Sequence, residues 1–477
     1  MKRWQDTEWA EQMALKLDFS NMMAEFVGEN KGISSAEIDE LVPRAEVIAE
    51  NIEAENKAGL LGFYRLPYDA ATAENVLEMA ARLRSECDDF VVLGIGGSAL
   101  GGIALFNALC HPFHNLLPRN QRGDLPHVFF LDNIDPVTFR AVLDFVNPEK
   151  TVFDVITKSG GTSETVAQFL IAYRMLAEKL GRQAVKDHIV VTTDPGRNEL
   201  RTFSEEAGFR AFSVPENVGG RFSVLSPVGL FPAAVAGIDI MELLAGARFT
   251  DQHCGAASLW QNPAYMAGAL HYLADTRKKL DTAVMMPYSD YLRQVGFWFR
   301  QLWAESLGKS RSTSGKLVNV GQTPIAALGV TDQHSQLQLY QEGPFNKMIT
   351  FLRVEKHSEM PIPGLTGSPI GKHLAGHSLG ELMNTEVEST SFALTRAGRS
   401  NMTITLPEVN PFTVGELLFM LEVQTVFAGG LYEINPLDQP GVEASKDYIY
   451  GLTGRAGYEK KAAEIRQWQT RKGRYII

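Results

Sequence analysis

Short apolar runs rich in β-branched and aromatic residues recur along this chain, and they constrain its fold more than any other feature. In the first half they are Phe90–Leu93, His127–Leu131, Val152–Ile156, His188–Thr192 and Phe209–Val214. In the second half the pattern is weaker: Thr282–Met286, Lys316–Val320, Met348–Val354 and Asn401–Leu406. Stretches long enough for helices stand between them, among them Glu164–Leu180, Asp290–Leu307 and Val414–Phe427. Strands alternating with helices imply parallel βαβ units with both faces of the sheet covered. The expected class is therefore α/β: two three-layer αβα sandwiches with mostly parallel sheets, carrying helical extensions at both ends. At 477 residues the chain exceeds what one core usually serves. The expected division is a helical segment over 1–85, α/β domains over 86–250 and 251–428, and a C-terminal loop and helix arm over 429–477. The divide between the two domains falls softly near Asp251–Ala256, with no Pro- or Gly-rich linker.

Composition narrows the function classes. A net charge of -11 argues against a non-specific nucleic-acid binder and against a polybasic membrane surface. An acidic protein with an anionic substrate needs a local positive site instead. Cys87, Cys110 and Cys254 are scattered and odd in number, without metal or redox spacing, so they read as buried free thiols in a reducing compartment. The N-terminal residues lack the apolar core of a signal peptide, and no apolar run approaches the roughly 20 residues of a bilayer span. The expectation is a cytoplasmic protein.

Two glycine clusters follow predicted strands and precede predicted helices. The first is Gly94-Ile95-Gly96-Gly97-Ser98-Ala99, where backbone N–H groups at a helix start can face an anion. Gly94-x-Gly96-x-x-Ala99 also fits a dinucleotide fingerprint, but Asp132 lies well beyond the ~20 residues that pattern expects for its ribose-binding acid. A sugar phosphate, a nucleotide and mere tight strand–helix packing all remain readings of this cluster. The second is Thr157-Lys158-Ser159-Gly160-Gly161-Thr162-Ser163-Glu164-Thr165. Hydroxyls on both sides of two glycines, at a helix N-terminus, make a cradle for phosphate oxygens, with a Ser/Thr-capped helix as the plainer alternative. Gly308-Lys309-Ser310 ends like a Walker A loop, yet Trp303 stands where its first glycine must be.

These two segments resemble the sugar and phosphate loops of a sugar-isomerase (SIS) domain. Three later segments narrow the resemblance to the glucose-6-phosphate isomerase family: Glu216-Asn217-Val218-Gly219-Gly220-Arg221-Phe222-Ser223, Gln301-Leu302-Trp303-Ala304-Glu305-Ser306-Leu307-Gly308-Lys309, and Asp438-Gln439-Pro440-Gly441-Val442-Glu443-Ala444-Ser445-Lys446. Asp332-Gln333-His334-Ser335-Gln336 fits as well, so six segments stand in the family's order from 94 to 446. Residues before about 85 add little. The resemblance implies a reversible isomerisation of D-glucose 6-phosphate to D-fructose 6-phosphate through ring opening and a cis-enediolate, with no cofactor and no metal.

An aldose–ketose isomerase must take a proton from one carbon and return it to the next, which requires a base over one face of the sugar. Glu305 suits this, with Gln301 four residues earlier on the same helical face. A carboxylate in a largely dry pocket would have a raised pKa. The resemblance makes Glu305 the proton-transfer base, Arg221 the cation that stabilises the enediolate, and His334 and Lys446 the ring-opening pair. It makes Gly97, Ser98, Thr157, Lys158, Ser159, Thr162, Gln301 and Gln439 substrate contacts. It also brings His334 into the site from a neighbouring subunit, which implies a homodimer. The chain departs from the common pattern at Leu437, where an aromatic residue is usual, at Pro440, where tryptophan is frequent, and at Thr157, which replaces a serine. The hydroxyl and charge inventory stays intact.

Other features carry less. His373 and His377 have metal-ligand spacing, but Gly371 and Gly376 weaken the helix they would need. His111 and His114 flank Pro112 and read as loop, and the Trp298, Phe299 and Trp303 cluster reads as core. Two other functions compete with the isomerase: a non-catalytic sugar-phosphate-binding SIS regulator, which need not keep Glu305, Arg221, His334 and Lys446 together, and a nicotinamide-dependent oxidoreductase, which leaves the later segments unexplained.

Overall fold

A computed structural model describes residues 2–255, 258–473, 475 and 476; Ala256, the far side of the expected divide, lies outside them. Five parallel strands form the first sheet: β2 (Asp89–Leu93), β3 (His127–Leu131), β4 (Thr151–Ile156), β5 (Ile189–Thr193) and β6 (Arg210–Ser213), in the spatial order β3-β2-β4-β5-β6. Strands β2, β4 and β5 are buried along their whole length, as continuous apolar runs require when helices cover both faces. The order reverses between β2 and β4, which lie side by side with Leu93 opposite Val155. That reversal opens a crevice beyond their carboxyl ends, where an open α/β sheet binds its ligand. Both glycine clusters leave the sheet there.

The second sheet contains β7 (Thr282–Pro287), β10 (Thr323–Ala326), β11 (Lys347–Val354) and β12 (Asn401–Leu406), all parallel, with β1 (Lys16–Asp18) added antiparallel on the edge. Its order, β1-β12-β11-β7-β10, repeats the reversal between the first and third parallel strands. The expected strand Lys316–Val320 exists as β9 (Leu317–Val320), but it pairs with β8 (Lys309–Arg311) in a separate hairpin. The sheet position belongs to β10, whose Pro324 hides the strand signal. The segment expected to be helical also contributes β1.

One apolar core continues from the inner face of one sheet to the other. Helix Pro411–Leu431 runs through it and is buried on nearly every side. At 21 residues it is, among the described residues, the one helix long and apolar enough to cross a membrane, which corrects the expectation that no such run exists; here it is buried inside the protein. The N-terminal segment feeds the same core. Phe63, in the turn Gly62–Tyr68, packs against Phe222, the residue after Arg221, with ring centroids 5.1 Å apart and ring planes tilted by 32°. Burying such a ring stabilises by roughly 2–3 kcal/mol, so residues before 85 brace the Arg221 loop. The three cysteines are free and buried, and burial raises each thiol to about 12.

Candidate active site

The first loop follows β2 as the turn Gly96–Ser98 and leads into helix Leu100–Leu109, which no side chain caps. Gly97 is required by proximity: a Cβ there would lie 2.3 Å from the Gly220 carbonyl carbon and 2.7 Å from the Arg221 nitrogen. Gly96 has φ +57° and faces the Gln301 amide. Ser98 is half-buried beside them.

The second loop follows β4. Thr162 is the N-cap of helix Ser163–Leu180, yet its hydroxyl makes no capping bond. It sits instead 2.9 Å from the Thr157 hydroxyl and 3.4 Å from that of Ser159. Three hydroxyls thus converge at a helix N-terminus whose N–H groups their own cap residue leaves unclaimed. Lys158 donates to the Glu216 carbonyl at 2.8 Å, which ties this loop to the Arg221 segment, and burial lowers its pKa.

Opposite the loops lies helix Arg293–Leu307. Gln301 Nε2 donates to Glu305 Oε1 at 3.1 Å, as their spacing of four predicts. The other carboxylate oxygen, Oε2, stands 3.6 Å from Arg221 Nη1. Glu305 is one-third exposed in the single chain, so the largely dry pocket expected for it is not present there. Gln301 Oε1 is buried without a partner among the described residues.

Arg221 is buried and spends its fork on two structures at once. Nε donates to Ser306 Oγ at 2.7 Å on the helix; Nη1 donates to Gln439 Oε1 at 2.8 Å; Nη2 donates to the carbonyls of Pro436 (2.5 Å) and Asp438 (2.9 Å). Desolvation lowers its pKa, partly countered by Glu305 and Asp438. Lys309 makes a second clamp. Its ammonium caps the helix end through the carbonyls of Glu305 (2.6 Å) and Ser306 (2.9 Å) and reaches the Asp438 carbonyl at 3.0 Å. Burial first, and the Arg221 charge second, lower its pKa to about 8. Lys309 therefore serves the helix backbone, and the Glu305 carboxylate pairs with Arg221.

The structure brings together Gly97, Ser98, Arg221, Gln301, Glu305 and Gln439, with the hydroxyl loop beside them. It does not bring the last two expected residues to Glu305. Lys446, in helix Glu443–Leu452, is half-exposed and pairs with Glu443 at 2.8 Å. Tyr450 of that helix reaches the Gly161 carbonyl at 3.4 Å, so the helix lies over the second loop. His334 ends the turn Thr331–His334 on the surface. Leu437 packs partly into the core and Pro440 is exposed, so neither departure reaches the charge cluster. His373 and His377 share no helix; His377 faces Glu381 at 3.4 Å. Ser306 and Lys309 were not legible as site residues. The one available signal was their place, directly after Glu305, in a motif already matched.

The sequence pattern of the family described as phosphoglucose isomerase matches residues 80–462. The chain belongs to the phosphoglucose isomerase family. It is an isomerase, with an α/β fold built on two mostly parallel sheets. A glucose-6-phosphate isomerase of Carboxydothermus hydrogenoformans is 46% identical over 456 residues, covering 95% of this chain and 97% of that protein. One from Rubrobacter xylanophilus is 46% identical over 430 residues, covering 90% and 96%. Among solved structures, a hypothetical protein of Thermus thermophilus superimposes with TM-score 0.80 at 35% identity, over 92% of this chain and all of that one. A Chlamydia trachomatis glucose-6-phosphate isomerase, with TM-score 0.71, 24% identity and coverage of 84% and 76%, shares the fold.

Proposed function

We propose that Glu305 carries the proton between C2 and C1 of the open-chain sugar in a chain whose reaction is the interconversion of D-glucose 6-phosphate and D-fructose 6-phosphate. The observation that carries this reading is the pairing of Glu305 with Gln301 on one side and buried Arg221 on the other. A base takes the C2 proton, the carbonyl oxygen gains negative charge as the enediolate forms, and the conjugate acid returns the proton to C1. Arg221 is already held rigid by four hydrogen bonds, so its charge meets the enediolate without reorganisation.

The phosphate sits in the hydroxyl cradle of Thr157, Ser159 and Thr162, with the Lys158 backbone and the uncapped helix N-terminus, and Ser98 and Gly97 border the sugar. Gln301 and Gln439 contact the substrate from the helix and the C-terminal loop; the unpartnered Gln301 oxygen supports the former. Ring opening falls to His334 and Lys446. Surface exposure of His334 on its own chain supports its service to the site of a second copy, hence a homodimer. The substrate is a small phosphorylated sugar, with no nucleic acid or membrane partner. The buried thiols suit a reducing compartment, and the cytoplasm is our assignment.

The test is turnover in deuterium oxide. A base that exchanges its proton with solvent leaves deuterium at C2 of glucose 6-phosphate formed from fructose 6-phosphate, detectable by proton NMR. Turnover with no deuterium at C2, even at long times, refutes an enediolate formed by a solvent-exchanging carboxylate one-third exposed.

A further inference from the structure

The two sheets share a strand order, and their first strands continue alike. After β2 come the turn Gly96–Ser98 and helix Leu100–Leu109; after β7 come the turn Asp290–Leu292 and helix Arg293–Leu307. Neither helix has a side-chain cap. The helices pack on one another, and helix Leu100–Leu109 reaches the turn Asp290–Leu292. Gln301 lies over Gly96. Reciprocally, the Asn107 amide, oriented so that its nitrogen donates, reaches the carbonyls of Asp290 at 3.0 Å and Tyr291 at 3.2 Å. The candidate active site is thus one of two related corners. Its walls are the loops after β2 and β4 and the end of the Arg293–Leu307 helix. The other corner has the segments after β7 and β11 and the end of the Leu100–Leu109 helix. It holds a cavity of about 620 Å³, lined among others by Ser289, Lys356, Ser358 and His111. That volume is in the usual range for a small-molecule site.

The groups facing this cavity are donors in search of acceptors. Ser289 is only 6% exposed, lines the cavity, and its hydroxyl has no hydrogen-bond partner among the described residues. His111 Nδ1 accepts from the Phe113 N–H at 3.1 Å, which leaves the ring proton on Nε2 as a donor. Lys356 is exposed and is in no ion pair with a described residue. Glu408 also lines the cavity, but Asn410 Nδ2 at 2.8 Å and Arg3 Nη1 at 3.7 Å already engage its carboxylate. Uncommitted donors and a free ammonium, with the one lining acid occupied, select an oxyanion.

We propose that this corner, between the carboxyl ends of β7 and β11, is a second binding site for a phosphate-bearing small metabolite, and that it binds without catalysing. Catalysis needs a base where Glu305 stands, at the thirteenth position of a helix of 15 residues. The related helix has 10 residues and stops at Leu109, so it has no counterpart. The proposal is independent of the role given to Glu305, because it rests on a different cavity.

The test counts sites on the full chain by equilibrium dialysis with 6-phosphogluconate, a sugar phosphate with no carbonyl to isomerise. Two sites per chain are expected. Lys356→Met, a surface change that leaves the core untouched, weakens one of them by about tenfold or more and leaves kcat on fructose 6-phosphate unchanged. Ser289→Ala weakens the same site. Thr162→Val weakens only the other. A single site per chain in the wild type, or two sites that both ignore Lys356→Met and Ser289→Ala, overturns the proposal.

Discussion

Replacing Arg221 by lysine keeps the charge and removes the fork, so it separates the two things this residue contributes. Arg221 holds Ser306 Oγ and stands 3.6 Å from Glu305 on the helix side, and it holds Pro436 O, Asp438 O and Gln439 Oε1 on the loop side. A lysine ammonium has three N–H groups on one atom and cannot serve both sides. At least two bonds to a charged donor are lost, each contributing about 1.5–3 kcal/mol. Water at the exposed Asp438 offsets part of that, so unfolding free energy should fall by about 3 kcal/mol. The chemistry suffers separately. A donor aimed at a developing oxyanion contributes about 2.7–4 kcal/mol, so kcat on fructose 6-phosphate should fall by about 10²–10³ while KM moves much less. Steady-state kinetics and urea unfolding read the two effects. A kcat within about threefold of wild type would refute the assignment of enediolate stabilisation to this guanidinium, whatever the stability change.

Three further outcomes follow from the geometry. Gly97→Ala places a Cβ 2.3 Å from the backbone of Gly220, which cannot swing aside, so the two loops separate and turnover should drop by about a hundredfold; near-normal kinetics would show that the loops need not touch. If His334 serves a second copy, mixing inactive Glu305→Gln and His334→Ala chains, denatured and refolded together, should restore activity through mixed dimers with one intact site; no recovery, with mixed dimers shown to form, places His334 in its own chain's site. Glu416 is buried, with one oxygen unpartnered and the other 3.5 Å from the Leu15 N–H, and desolvation raises its pKa to about 9. A raised folded pKa contributes stability below the unfolded value of about 4.3 and loses it as pH rises towards 9. Urea unfolding at pH 5 and 8.5 should therefore show wild type losing stability relative to Glu416→Gln; parallel courses would contradict this.

Much of this was legible in the sequence where burial is two-sided. Strand β5 is an unbroken β-branched run, and β4 is interrupted only by Phe153 and Asp154, because helices cover both faces of each. The edges were not legible. Strand β1 is three residues long, and β10 carries a proline and exposes its first residue, so neither makes a strong run. Within the site, Gln301 and Glu305 could be joined by helical spacing alone. The clamps could not: Arg221 to Pro436 and Lys309 to Asp438 join segments more than a hundred residues apart, and they use backbone carbonyls, which no sequence pattern marks. The burial of Glu416 and Glu422 in helix Pro411–Leu431 was hidden because a carboxylate on a helix reads as a solvent face until its neighbours are known.

The most direct measurement of the central claim is the behaviour of Glu305→Gln. This near-isosteric change keeps a partner for Gln301 and leaves the hydroxyl cradle untouched, but removes the base. The account predicts that 6-phosphogluconate still binds within a few-fold of wild type, while isomerisation of fructose 6-phosphate and deuterium entry at C2 fall together by at least about 10³. Substantial turnover with C2 exchange intact would mean that another group moves the proton, and the assignment of Glu305 would be wrong.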